Sequence, residues 1–324
     1  MTGRYDIVLY NNKIHYHLLI KRNITILRGE SASGKSEMIR LLASYNSSPT
    51  SSGITLVCDK KCYVLTEGNW TLFTEKYRDS IFFVDEGNGF IRTKEFADTV
   101  KRADNYFVII SREKLSQLPY SIDEVYGLRE DEASGKYHTP RRVYNEMYRI
   151  FGKTPDPVRF PDLVITEDSN SGNDFFSLIF PDRCISSHGK SSIKRVIGQN
   201  TGRHILAVVD GAAFGAEMQD VMELISYSDG KISVFAPESF EYLILQSGII
   251  QVPKAVIEET WDYADSVNYF SWEEFYTRYL SDATRNEVSQ YSKTRLSDYY
   301  KTAGNIDRII SVLPACIKDL IEGL

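Results

Sequence analysis

The stretch GESASGKS, residues 29 to 36, constrains this chain more than any other. It follows a short β-forming run, Ile24 to Leu27, and precedes Met38, Ile39, Leu41 and Leu42, which recur at helical spacing. A strand that passes through glycines straight into a helix presents its backbone N–H groups at the positive helix end, where an oxyanion is stabilised. Gly29 stands five residues before Gly34 and Lys35, the spacing a phosphate-cradling loop needs. A second Gly-Lys-Ser, in HGKSS at 188 to 192, fails that test because Cys184 occupies the place of the first glycine.

The expected phosphate contacts come from Gly29, Glu30, Ser31, Ala32, Ser33, Gly34, Lys35 and Ser36. Lys35 would neutralise the β- and γ-phosphates, and the Ser36 hydroxyl would ligate Mg2+. A separate segment agrees with this reading. SIFFVDE is an apolar strand ending in Asp85, placed to hold the metal's water shell, with Glu86 beside it to orient or deprotonate an attacking water. A following strand, NYFVII, runs into Ser111 and Arg112, and Ser111 is the expected sensor of the γ-phosphate. These features resemble the P-loop NTPase superfamily, which implies ATP and Mg2+ as cofactors and hydrolysis as the reaction. The opening strands, RYDIVLY and KIHYHLLI around Asn11-Asn12, resemble the antiparallel ribbon of ABC-type ATPases. No Leu-Ser-Gly-Gly signature follows, and about fifty residues separate Lys35 from Asp85, too few for the ABC helical subdomain.

Beyond FGKTPDPVRFPDL, a linker by its three prolines, strand-helix alternation resumes with LVIT, RCISS, HILAVVD and KISVFA. Acids close these strands: Glu167 and Asp168 after the first, Asp210 after the third, Glu238 and Glu241 after the fourth. Acids at the carboxyl ends of parallel strands meet at one sheet edge, where they suit a hard divalent cation. Order and spacing resemble the Toprim domain of topoisomerases, primases and OLD-type nucleases. That resemblance implies Glu167 as general acid/base and metal ligand, with Asp210 and Glu241 as further Mg2+ ligands. Ala212 stands where the family's second aspartate belongs, which leaves open a non-catalytic scaffold or an unrelated α/β domain. HGKSSIKR offers His188, Lys190, Lys194 and Arg195 as phosphate contacts for nucleic acid, or simply a solvated helix start with Ser191 or Ser192 near its cap.

The expected fold class is therefore α/β: a P-loop NTPase domain at 1–150, a linker at 151–161, a Toprim-like domain at 162–262 and a helical segment at 263–324. In the last segment WEEFYTRYL, EVSQYSKTRLSDYY and NIDRIISVLPACIKDLI read as helical, with Pro314 bounding or kinking the end. Its Trp272, Tyr276, Tyr279, Tyr299 and Tyr300 suit either a core or an interface with a protein partner or a second copy. A net charge of -6 disfavours a globally basic nucleic-acid wrapper, although local patches remain available. Cys58 and Cys62 lack a second pair or nearby histidines, so zinc is not expected; with Cys184 and Cys316 they read as reduced thiols of a cytoplasmic protein. No long apolar run indicates a membrane span. ATP would drive work on nucleic acid by the second domain, or gate assembly with the second domain inactive. A small-molecule kinase is the third possibility.

Overall fold

The computed structural model describes residues 1–29, 34–130, 143–152 and 160–323. The chain is α/β and divides into two compact units: Met1–Phe151 with Trp261–Phe270, and Gly152–Thr260 with Ser271–Leu324. Most of the proline-rich 151–161 stretch lies outside the described residues.

In the first unit, β1 (Tyr5–Tyr10) and β2 (Ile14–Ile20) pair antiparallel around Asn11, whose Oδ1 accepts from the N–H groups of Lys13 and Ile14. The wholly buried β3 (Ile24–Leu27) leads to α1 (Lys35–Ser47). Then come β4 (Thr55–Val57), β5 (Lys61–Leu65), α2 (Trp70–Lys76), β6 (Ser80–Val84), α3 (Lys94–Arg102), β7 (Asn105–Ile110), β8 (Val125–Glu130) and β9 (Val143–Arg149). These strands form one mixed sheet in the order β4-β1-β2-β9-β8-β3-β7-β6-β5. β3, β6 and β7 are fully buried, which explains their unbroken apolar runs.

ITLVCDKKCYVL is not the hairpin its local pattern suggests. β4 pairs antiparallel with β1 and β5 pairs parallel with β6, at opposite ends of the sheet. Only residues 58–60 join them, so the sheet curls, with α1 packed against both end strands. Met38, Leu41 and Leu42 of α1 share one core with Ile7 and Leu18 on one side and Phe83 and Val108 on the other. β8 and β9 lie outside the sequence expectation; they join the ribbon to the parallel strands, β9 beside β2 and β8 beside β3. Residues 261–270 complete the unit, with Gly3 N–H donating to Trp261 O at 2.7 Å and Asn23 Nδ2 to Phe270 O at 2.8 Å.

The second unit holds β10 (Leu163–Thr166), α4 (Ser171–Ile179), β11 (Cys184–Ser186), α5 (Lys190–Gly198), β12 (Ile205–Val208), α6 (Gly215–Ser226), β13 (Ile232–Phe235), α7 (Phe240–Gln246) and α8 (Lys254–Glu258). Its four strands are all parallel, in the order β11-β10-β12-β13. The chain moves from β10 to β11 on one side and then to β12 on the other. Such a reversal opens a crevice beyond the strands' carboxyl ends. α9 (Trp272–Ala283), α10 (Ala303–Ser311) and α11 (Ala315–Glu322) follow, with Pro314 as the N-cap of α11.

EVSQYSKTRLSDYY is not helical but a run of turns. Its polar groups are spent elsewhere: Ser171 N–H donates to Lys293 O, and Leu296 N–H to an Asp174 carboxylate oxygen. Trp272, Tyr276 and Tyr300 are buried, so they belong to the core and not to a surface for a partner. Among the described residues, no helix is long and apolar enough to cross a membrane.

Leu42→Ala, at 1 % exposure, removes a side chain from the curled sheet's core. Urea titration should read a loss of about 2–5 kcal/mol; a smaller effect would mean that α1 does not hold the curl together.

Candidate functional site

In the first unit, candidate groups line up at the carboxyl ends of three neighbouring parallel strands: Gly29 beyond β3, Ser111 and Arg112 beyond β7, Asp85 and Glu86 beyond β6. Gly29 and Gly34 hold φ of 130° and 82°, a backbone conformation that costs glycine nothing and other residues about 1–2 kcal/mol. Gly34 has a second reason to be glycine. Tyr16 Oη donates to its carbonyl at 2.8 Å, and a Cβ there would lie 2.9 Å from that oxygen. Glu30, Ser31, Ala32 and Ser33 lie outside the described residues.

The Lys35 side chain reaches back to Gly29, its Nζ donating to Gly29 O at 3.2 Å, and the residue is only 6 % exposed. Burial and the nearby Arg112 guanidinium lower its pKa, while Glu86 opposes them. Ser36 is the second residue of α1. Asp85 Oδ1 accepts the Glu86 N–H, and Glu86 pairs with Arg112 at 3.5 Å. The Ser111 hydroxyl is engaged with Glu113, donating to its carbonyl and accepting its N–H. Of the two residues beyond β7, Arg112 is the one that acts electrostatically on Lys35.

In the second unit the crevice at the β10–β12 reversal is lined by Glu167, Asp210, Glu241 and Lys293, among others. Asp210 N–H donates to Glu167 Oε2 at 3.0 Å, and Asp210 Oδ1 accepts the Phe240 N–H at 3.2 Å. Tyr291 Oη donates to Glu241 Oε1 at 2.8 Å and accepts from Ser171. Asp168 instead folds onto Asn170. The Asp210 loop fits closely against the chain beyond β13: Gly211 N–H donates to Pro237 O at 2.6 Å, where a Cβ would come within 2.8 Å of two carbonyl oxygens. Ala212, buried, donates its N–H to Glu238 O.

Sequence reasoning missed three residues of the C-terminal segment: Lys293, which lines this crevice, Tyr291, which bonds Glu241, and Glu273, which pairs with Lys293. Lys293 Nζ forms an ion pair with Glu273. Burial works against its charge, but Glu273, Glu241 and Asp210 outweigh it and raise its pKa. Burial and the surrounding carboxylates, Glu273 foremost, raise Asp210 well above the ordinary range. Burial and Glu273 likewise push Glu167 up to about 8. Neither a protein-family model nor a curated protein matches this chain.

The acids do not fit a divalent cation well. Ala212 supplies no ligand, one oxygen of each of Glu167, Asp210 and Glu241 is taken by a protein donor, and the Lys293 ammonium already offsets part of the cluster's charge. Glu241 Oε2 is buried without a hydrogen-bond partner, an open acceptor but a single one. Among the described residues, no three His, Cys, Asp or Glu side chains converge to hold an ion. HGKSSIKR is largely engaged within its own unit: α5 is capped by Gly189, Lys190 Nζ donates to Ala213 O, and Lys194 pairs with Asp220 and Glu223.

Lys293→Met should destabilise the second unit by about 1–3 kcal/mol, below the value for a fully buried pair because the lysine side chain is 31 % exposed. An unchanged Tm would remove Lys293 from its counter-ion role. Glu167 adds a pH dependence. Its folded pKa lies above the unfolded one, so the native state binds more protons between about pH 4.5 and 8. The associated stability is complete below that window and lost as pH rises through it. In EDTA, thermal unfolding should show the decline, and Glu167→Gln should flatten it.

Proposed function

We propose that this chain is an ATP-binding protein in which the first unit holds Mg-ATP and the second is a Toprim-like domain that senses or docks rather than cuts. The observation that carries the first half is Lys35. It is a buried lysine at a helix start whose ammonium reaches back to Gly29, the first of two positive-φ glycines, within electrostatic reach of Glu86 and Arg112. Bound Mg-ATP supplies a transferable γ-phosphoryl group. Lys35 and the loop N–H groups would hold its phosphates, Ser36 and Asp85 its metal, and Glu86 would orient the attacking water.

For the second unit, Lys293 favours the non-cutting reading over a metal-dependent nuclease. An internal cation among the acids does the electrostatic work that Mg2+ does in an active Toprim site, without the ligand exchange that catalysis needs. What the nucleotide controls is then assembly or contact with nucleic acid.

Steady-state hydrolysis and equilibrium binding test both halves. Lys35→Ala should weaken Mg-ATP binding about 10- to 100-fold. Glu86→Gln should keep binding and lose about 100-fold or more in turnover. Wild-type protein that binds no nucleotide would overturn the first half. Mg2+-dependent cleavage of DNA or RNA, abolished by Glu167→Gln, would overturn the second.

A further inference from the structure

The three residues joining β4 to β5 carry a second feature, independent of either candidate site. Cys58 directly follows β4 and Cys62 lies in β5, and both line one groove. Both sulfurs also bond the backbone of one residue: Lys60 N–H donates to Cys58 Sγ at 3.4 Å, and Cys62 Sγ donates to Lys60 O at 3.6 Å. Two thiols anchored on one residue and lining one groove are held near each other.

We propose that Cys58 and Cys62 form a peroxide-oxidisable dithiol in which Cys58 is the attacking sulfur and Cys62 the resolving one. The two differ in the ways those roles demand. Cys58 is partly exposed and lines a groove of about 320 Å³ together with Tyr45, Leu56 and Asp59, which gives a small oxidant access. Cys62 is buried and fixed: Asn46 of α1 donates to its carbonyl at 2.8 Å and accepts the Val64 N–H at 3.2 Å. The neighbouring Cys62 thiol lowers the Cys58 pKa to about 7 against the opposing effect of burial, with the Lys60 N–H and ammonium assisting and Asp59 opposing. The neighbouring Cys58 sulfur and burial raise Cys62, keeping it a thiol until its partner has reacted.

The chemistry balances with hydrogen peroxide as the oxidant. The Cys58 thiolate attacks one peroxide oxygen; the S–O bond forms, the O–O bond breaks, and the departing hydroxide leaves as water after taking a proton. Cys58 is now a sulfenic acid, oxidised by the two electrons the peroxide has gained. Cys62 then attacks the Cys58 sulfur, the S–S bond forms, and the sulfenic hydroxyl leaves as water with the Cys62 proton. A dithiol reductant reverses the sequence.

The test uses the intact chain. Trypsin cuts after Lys60 and Lys61, so the two cysteines end in separate peptides, Leu41 to Lys60 and Cys62 to Lys76, joined only when oxidised. Stoichiometric peroxide should link them, and thiol reduction should release them. Iodoacetamide at pH 7 should label Cys58 about tenfold faster than Cys184, whose thiol burial holds up. Cys62→Ser should leave a Cys58 sulfenic acid that dimedone captures, and Cys58→Ser should abolish both linkage and capture. Failure of the linked peptide to form in folded wild-type protein overturns the proposal, as does Cys58 labelling no faster than Cys184.

Discussion

The first unit depends on a length that does not fit. Laid flat, nine strands would span about 38 Å from β4 to β5. Residues 58–60 can bridge at most about 14 Å between them. The sheet has no choice but to curl, and the hollow it makes must be filled by something apolar on both sides. α1 is that filling, with Met38, Leu41 and Leu42 meeting the ribbon and the parallel strands in one core. The helix that opens on Lys35 therefore packs its apolar face into the centre of the curl.

Charge organises the second unit in the same way that length organises the first. Four carboxylates, Glu167, Asp210, Glu241 and Glu273, act on one another beyond the strand ends. Left alone they would repel, and their desolvation would cost several kcal/mol each if ionised. Lys293, raised protonation of Glu167 and Asp210, and donors from Tyr291 and backbone N–H groups all relieve that cost. The solution is internal to the chain, which is why the C-terminal segment belongs to this unit and not to a separate appendage.

Much of this was legible in the residues. Buried parallel strands announce themselves as apolar runs, and the acids that end them needed only counting from strand to strand. β4 and β5 were misjudged because a turn between two strands looks alike whether the strands pair with each other or with distant partners; edge vacancies elsewhere decide the matter. The missed residues of the acid crevice had no local signature. Tyr291 and Lys293 arrive more than eighty residues after Asp210, on a segment whose apolar spacing imitates a helix. That spacing serves core contacts of an irregular path, including Tyr291, Leu296 and Tyr300. Likewise β8 and β9 mix exposed and buried positions, and no apolar run marks them.

The return of residues 261–270 to the first unit has a consequence for how the protein is made. At a ribosomal pace of ~5–20 residues per second, on the order of ten seconds separates emergence of the first unit's last strand from the segment that completes it. Within that interval the parallel strands of the second unit emerge ahead of Tyr291 and Lys293, which follow them in the chain. The nascent chain thus carries an unneutralised acid cluster and an unsealed first unit at the same moment, and both are closed by the final sixty-odd residues. A product truncated before residue 261 would lack residues that belong to both units.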